Sequence, residues 1–171
     1  MASYDYGKQE LSAWIREHFP QGSTCLDVGA CDGKMWELLH DWLTMDAVEI
    51  FGPNIDVHGL REKYREVFEA DVADLKYGRY DLILFCDVIE HMDPEKAKKV
   101  LRYAKTKCTD MIVAVPFEYK QGILYGNVHE IHVQDDLTPE IFEDRYPGME
   151  LILKPANFYA YYHRKPSPRS K

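Results

Sequence analysis

Cys25-Leu26-Asp27-Val28-Gly29-Ala30-Cys31-Asp32-Gly33 decides the reading of this chain, together with Ala47-Val48-Glu49-Ile50, whose Glu49 follows Asp27 by 22 residues. An apolar strand runs into a turn of small residues that opens a helix, and a second strand ends on a lone carboxylate. That is the plan of a nucleotide-binding βαβ unit. Small residues let a ligand lie against the backbone, and the carboxylate accepts hydrogen bonds from ribose hydroxyls. The dinucleotide fingerprint is incomplete: G-x-G-x-x-G read from Gly29 needs glycines at 31 and 34, where the chain has Cys31 and Lys34. A cofactor with adenine and ribose but no pyrophosphate places less demand on that turn.

Outward from this unit, helical and strand patterns alternate. Leu11, Trp14, Ile15 and Phe19 recur at helical spacing up to Pro20, and Met35 to Leu43 forms a helix apolar over a wide face. Met45 to Ile50 reads as the second strand, Asn54 to Tyr64 as one poorly amphipathic helix, and a short third strand leads to Asp71. Leu82 to Cys86 is a continuous apolar run, as a buried parallel strand requires. Asp93-Pro94-Glu95 and Thr138-Pro139-Glu140 each read as a cap and first turn of a helix. Met111 to Val115 is a fifth strand, and Met149 to Leu153 and Phe158 to Tyr162 read as two closing strands. The expected fold class is α/β: a doubly wound, mostly parallel seven-stranded sheet with an antiparallel closing strand and helices on both faces. Residues 1–163 form one domain in this reading, and 164–171, with Pro166 and Pro168, a disordered, solvated tail.

Four segments in order resemble the motifs of class I S-adenosylmethionine-dependent methyltransferases, a Rossmann-like family. Leu26-Asp27-Val28-Gly29-Ala30-Cys31-Asp32-Gly33 is similar to its first motif, with Cys31 at the place of the second glycine. Glu49 resembles the acid after the second strand, and Phe68-Glu69-Ala70-Asp71-Val72 the end of the third. Tyr80 through His91, ending Asp87-Val88-Ile89-Glu90-His91, resembles the fourth strand and its trailing D-V-x-E-H. The likeness spans roughly residues 22 to 160 and implies S-adenosyl-L-methionine as cofactor. It further implies that Gly29 and Ala30 allow close approach of the methionyl and ribose parts, and that Glu49, beside Ile50, accepts from the ribose. Asp71 is then the acceptor for the adenine amine, with Val72 supplying a backbone contact. Asp87, with Asp27, lies near the methionyl amino end, and Cys86 grazes the ligand from the strand core. Taken singly, Asp27 reads as a helix cap, Asp71 as a turn residue and Glu49 as a solvated charge. Their equivalent places at strand ends favour a shared site. Tyr4 and Tyr6 read equally as a cover for the cofactor or as packing.

A hydroxyl nucleophile needs a base. Candidates are His91, after Glu90 at the fourth strand, and His129 and His132 in Gly126-Asn127-Val128-His129-Glu130-Ile131-His132. This second stretch resembles a subset of the family associated with glycans and surface polymers. The H-E-x-H spacing is not the H-E-x-x-H of zinc enzymes, and only adding Glu90 or His91 would build a site, so no metal is expected. The chain lacks Asn/Asp-Pro-Pro-Tyr after the fourth strand and a strand-terminal Pro-Cys, which disfavours adenine, glutamine and cytosine methylation. A small molecule or a glycan hydroxyl is the expected acceptor.

Composition agrees. With 171 residues, 46% apolar and 13% aromatic, the chain is sized for one globular domain. A net charge of −8 argues against nucleic acid as a partner. No run approaches a membrane span, and the N-terminus does not read as a signal peptide, so the cytoplasm is the expected location. Four cysteines without a C-x-x-C pair indicate neither a zinc ribbon nor a disulfide framework. Two other readings stay open: a NAD-dependent oxidoreductase on a related fold, and a non-catalytic domain that keeps the fold for cofactor or partner binding.

Overall fold

The structure, a computed structural model, describes residues 5–164. Helix α1 (Lys8–His18) precedes β1 (Thr24–Val28), α2 (Lys34–Leu39), β2 (Thr44–Glu49), α3 (Gly52–Val57), α4 (Leu60–Lys63) and β3 (Val67–Glu69). Then come β4 (Tyr80–Cys86), a 3-10 turn at Ile89–His91, α5 (Pro94–Lys107) and β5 (Cys108–Pro116). A second 3-10 turn at Val128–Glu130, α6 (Pro139–Arg145), β6 (Glu150–Ala156) and β7 (Tyr159–Arg164) complete the described chain.

The strands form one sheet in the order β3-β2-β1-β4-β5-β7-β6. β1 to β5 are mutually parallel, and β7 lies antiparallel to both β5 and β6. This is the doubly wound sheet the sequence predicts. It departs from the dinucleotide order 3-2-1-4-5-6 by the antiparallel strand inserted before the edge. Strand periodicity divides the core. Leu26, Val28, Ile83, Phe85, Val113 and Val115 pack on one face, and Cys25, Leu82, Leu84, Ile112 and Ala114 on the other. Burial on both faces explains why β4 and β5 read as unbroken apolar runs rather than alternating ones.

Caps set the helix starts as expected: the Asp93 carboxylate accepts from the Glu95 and Lys96 N–H groups, and the Thr138 hydroxyl from the Ile141 N–H. Three boundaries differ. The helix after Gly33 ends at Leu39 rather than Leu43. The indole N–H of Trp42 donates to the Phe19 carbonyl at 2.9 Å, which draws the chain toward β2. The expected helix from Asn54 to Tyr64 is two, broken at Gly59, whose φ of +60° ends one turn and starts the next. Arg164, placed in the tail by sequence, is the last residue of β7 and pairs with Met111, while 165–171 lie outside the described residues. Among the described residues no helix is long and apolar enough to cross a membrane.

The order of the strands reverses between β1 and β4. Ligands of such sheets bind beyond the carboxyl ends at that point. The ends of β1, β2, β3 and β4 therefore fix where the site lies.

Candidate active site

The turn after β1 is built around Gly29, at φ +73°, where an added Cβ would lie 2.8 Å from Val88 Cγ2. Both the left-handed conformation and the contact exclude a larger residue. The Gly29 and Ala30 N–H groups donate to the Val48 carbonyl at 2.8 and 3.3 Å, holding the turn against β2. Cys31 also adopts a left-handed conformation, φ +48°, without being glycine. Its N–H donates to Glu49 Oε2 at 2.8 Å, and the Phe51 N–H donates to Oε1 at 2.8 Å. Glu49, only 4% exposed, thus clips the turn to the start of α3. Burial raises its carboxyl above the ordinary range, against the pull of those N–H groups.

Beside this turn lies a cleft of about 270 Å³. Of the residues nominated by sequence, Gly29, Glu49, Ile50, Asp71, Val72, Cys86, Asp87, His91 and His129 line it. Asp27, Ala30 and His132 do not. Asp27 was expected near a cofactor's amino end; it is instead buried on the α2 face of the sheet, where the Tyr64 hydroxyl donates to Oδ2. Burial pushes its carboxyl up to about 7. Ala30 packs in the apolar core with Met35 and Leu39. Tyr6 meets Phe158 edge-on at 5.0 Å, away from the lining, and Tyr4 lies outside the described residues.

Two carboxylates on the wall carry cations that no sequence pattern announced. Asp71 accepts from Lys96 Nζ at 2.6 Å and from the Ala73 N–H at 2.9 Å. Burial acts to raise its carboxyl, but these donors hold it below the usual range. Asp87, at φ +59°, accepts from Tyr159 Oη–H at 2.6 Å and pairs with Lys8 Nζ at 3.3 Å. Burial acts to lower the Lys8 ammonium, yet Asp87 and its anionic neighbours raise it overall. Burial likewise lifts the Cys86 thiol, which leaves it a neutral part of the strand core.

The segment after β5 folds back over the end of β4. The Val133 and Gln134 N–H groups both donate to the Glu90 carbonyl, at 2.8 and 3.0 Å. The buried Gln134 side chain donates to the Ile89 and Met92 carbonyls and accepts from Arg145 and Tyr146. His132 thereby reaches His91, with ring centroids 4.7 Å apart. His91 Nδ1 faces the Ile131 carbonyl at 3.2 Å and His132 Nδ1 the Tyr119 carbonyl at 2.8 Å. A carbonyl only accepts, so each Nδ1 carries the proton and each Nε2 a lone pair. Burial, then the neighbouring His132, lowers His91 to about 4, and burial lowers His132. Both rings are neutral at pH 7. His129 instead lines the cleft from the Val128–Glu130 turn, where its N–H donates to Asn127 Oδ1. Glu130, in the same stretch but not nominated, also lines the cleft, its carboxylate held by Gln121 and Asn127.

No family model and no curated protein matches the chain. Solved structures do. An S-adenosylmethionine-dependent methyltransferase from Clostridium acetobutylicum superposes with TM-score 0.71 at 13% identity, covering 95% of this chain and 92% of that one. The 1,6-didemethyltoxoflavin-N1-methyltransferase of Burkholderia thailandensis gives TM-score 0.67 at 18% identity, covering 96% of this chain and 80% of that one. The N-terminal domain of EvdMO1, solved in the presence of S-adenosylhomocysteine and D-fucose, gives 0.69 at 14% identity, covering 96% and 84%.

Proposed function

We propose that this chain, which has the fold of the class I S-adenosylmethionine-dependent methyltransferases, binds S-adenosyl-L-methionine in its cleft and methylates an oxygen of a small-molecule or sugar acceptor. The observation that carries the reading is the convergence of Glu49, Asp71 and Asp87, from the ends of β2, β3 and β4, around the Gly29 turn. The donor set fits. The Glu49 carboxylate accepts from the Cys31 and Phe51 N–H groups and lines the cleft, where ribose hydroxyls would share it. Asp71 offers an acceptor for an adenine amine, with Val72 beside it, and Asp87 offers negative charge to an amino group. Gly29 leaves the backbone bare where a ligand lies against it.

When bound, the cofactor supplies a methyl group already activated on a sulfonium. The protein's share is to hold the acceptor in line and exclude water. The apolar side chains of Ile50, Val128, Ile131 and Val133 at the cleft suit an acceptor with an apolar face. His91 and His129 line the cleft wall, with His132 against His91, and His129, outside that pair, is the group placed to take an acceptor proton. An imidazole lone pair can take it. An oxygen or sugar acceptor is supported by the D-fucose present with the EvdMO1 domain; the Burkholderia enzyme's name places its own methylation on nitrogen.

The test is calorimetric titration of the full chain with S-adenosylmethionine, S-adenosylhomocysteine and NAD in parallel. Saturable binding of the first two without NAD is expected. Binding of NAD alone would replace this reading with the oxidoreductase, and no binding at all with the non-catalytic domain.

A further inference from the structure

The Glu90 carboxylate is 0% exposed, and neither oxygen has a hydrogen-bond partner among the described residues. A buried ionised carboxylate without a partner is among the costliest arrangements in a protein, and it persists where a cation or a proton completes it. Lys8, the buried ammonium of this region, is bonded to Asp87. What Glu90 does have beside it is a pair of imidazoles. One donor atom each from Glu90, His91 and His132 lies within 4.8 Å of the others.

We infer that Glu90, His91 and His132 form a binding site for a divalent first-row transition metal, with Zn²⁺ the reference ion, beside the cleft. Two further features support it. Both rings donate Nδ1–H to a backbone carbonyl, which fixes the tautomer and reserves the Nε2 lone pair. Such a carbonyl or carboxylate partner on the far nitrogen is the usual companion of a metal-ligating histidine. The two N–H bonds from Val133 and Gln134 to the Glu90 carbonyl tie the segment bearing His132 to the turn bearing Glu90 and His91, so the three donors are held together by backbone rather than by chance. Asp87 and Glu130 act on Glu90 as negative charges and Lys8, paired with Asp87, as a positive one.

The donor set selects the ion. Two imidazole nitrogens and one carboxylate suit zinc, iron, cobalt or manganese, whereas magnesium and calcium prefer oxygen alone. Ligand bonds of about 2.1 Å need the donors about 3–4 Å apart, so binding draws the cluster slightly inward. The site spans 90, 91 and 132. The sequence expectation of no metal started from His129 and His132 with Glu90 or His91 as an addition, whereas the fold brings Glu90, His91 and His132 together and leaves His129 out.

The experiment titrates Zn²⁺ into the chelator-stripped full chain in competition with a chromophoric chelator. One equivalent is expected, undisturbed by millimolar Mg²⁺, and Glu90→Gln and His132→Ala should each weaken it at least about 100-fold. Co²⁺ bound in place of Zn²⁺ should give a visible absorption band that His132→Ala abolishes. Glu90→Gln keeps the shape of the side chain and His132→Ala alters a half-buried one; thermal melts of both report folding independently. Absence of saturable Zn²⁺ binding, wild-type affinity in folded variants, or displacement by Mg²⁺ would overturn the inference. S-adenosylhomocysteine is titrated into the same preparations. Cofactor bound without zinc overturns this site alone; zinc bound without cofactor upholds it and overturns the proposed function.

Discussion

Replacing Glu49 by alanine removes two things at once, and their sizes can be separated. The first is the clip on the turn: two buried N–H groups, of Cys31 and Phe51, lose an ionised acceptor 2.8 Å away. Hydrogen bonds to charged groups contribute about 1.5–3 kcal/mol each. Burial of the carboxylate offsets part of that, so we expect a net loss of about 2 kcal/mol. In a domain of this size that lowers Tm by roughly 4–8 °C. The second is ligand affinity. Two ribose hydrogen bonds to a carboxylate, at about 1.5 kcal/mol each, correspond to roughly a 100-fold rise in Kd for S-adenosylhomocysteine. Glu49→Gln keeps one acceptor oxygen and should lie between, with roughly a 10-fold rise. Differential scanning calorimetry reads the first effect and titration calorimetry the second. An unchanged Kd in a folded Glu49→Ala variant refutes the ribose role, and an unchanged Tm refutes the clip.

Asp27, with a folded carboxyl pKa of about 7 against 3.8 unfolded, contributes stability at low pH that is lost as pH rises through 7. Relative to Asp27→Asn, the wild type should lose about 2–3 kcal/mol between pH 5 and pH 8 by urea denaturation; parallel curves would show the carboxyl titrates normally. Lys8→Met leaves Asp87 buried without its cation and should cost about 3–5 kcal/mol, whereas a loss below 1 kcal/mol would mean the pair is not neutralising a buried charge. Gly29→Ala adds backbone strain of about 1–2 kcal/mol and crowds Val88, and Val88→Ala in the same chain should recover only the crowding. A double-mutant cycle that shows no coupling between them refutes the contact.

Much of the fold was legible because parallel strands buried on both faces leave an unmistakable mark, as Leu82 to Cys86 does, and because Asp93 and Thr138 announce the helices they cap. The lining of the cleft was legible for the same reason: Gly29, Glu49, Asp71 and Asp87 each sit at a strand end, and strand ends converge. What escaped was decided by contacts distant in sequence. Lys96 meets Asp71 and Lys8 meets Asp87 without any local spacing to betray them. The meeting of His91 and His132 depends on how residues after β5 fold back through Gln134. The side of the sheet that Asp27 takes could also have been read: strand alternation sets it on the face of Cys25, opposite Leu26 and Val28, where it meets Tyr64.

Asp87 is also where distant parts of the chain come together. Lys8 reaches it across 79 residues and Tyr159 across 72, while the Tyr161 hydroxyl grips the Tyr6 carbonyl across 155. A ribosome makes the α1 segment before β7, so the bonds that converge on Asp87 cannot all close until β7 has been made. Until β7 emerges, a nascent chain holds Lys8 and Asp87 in solvent, and closing those long loops comes late in folding. The wall of the cleft at Asp87 is therefore completed only after β7 has been made.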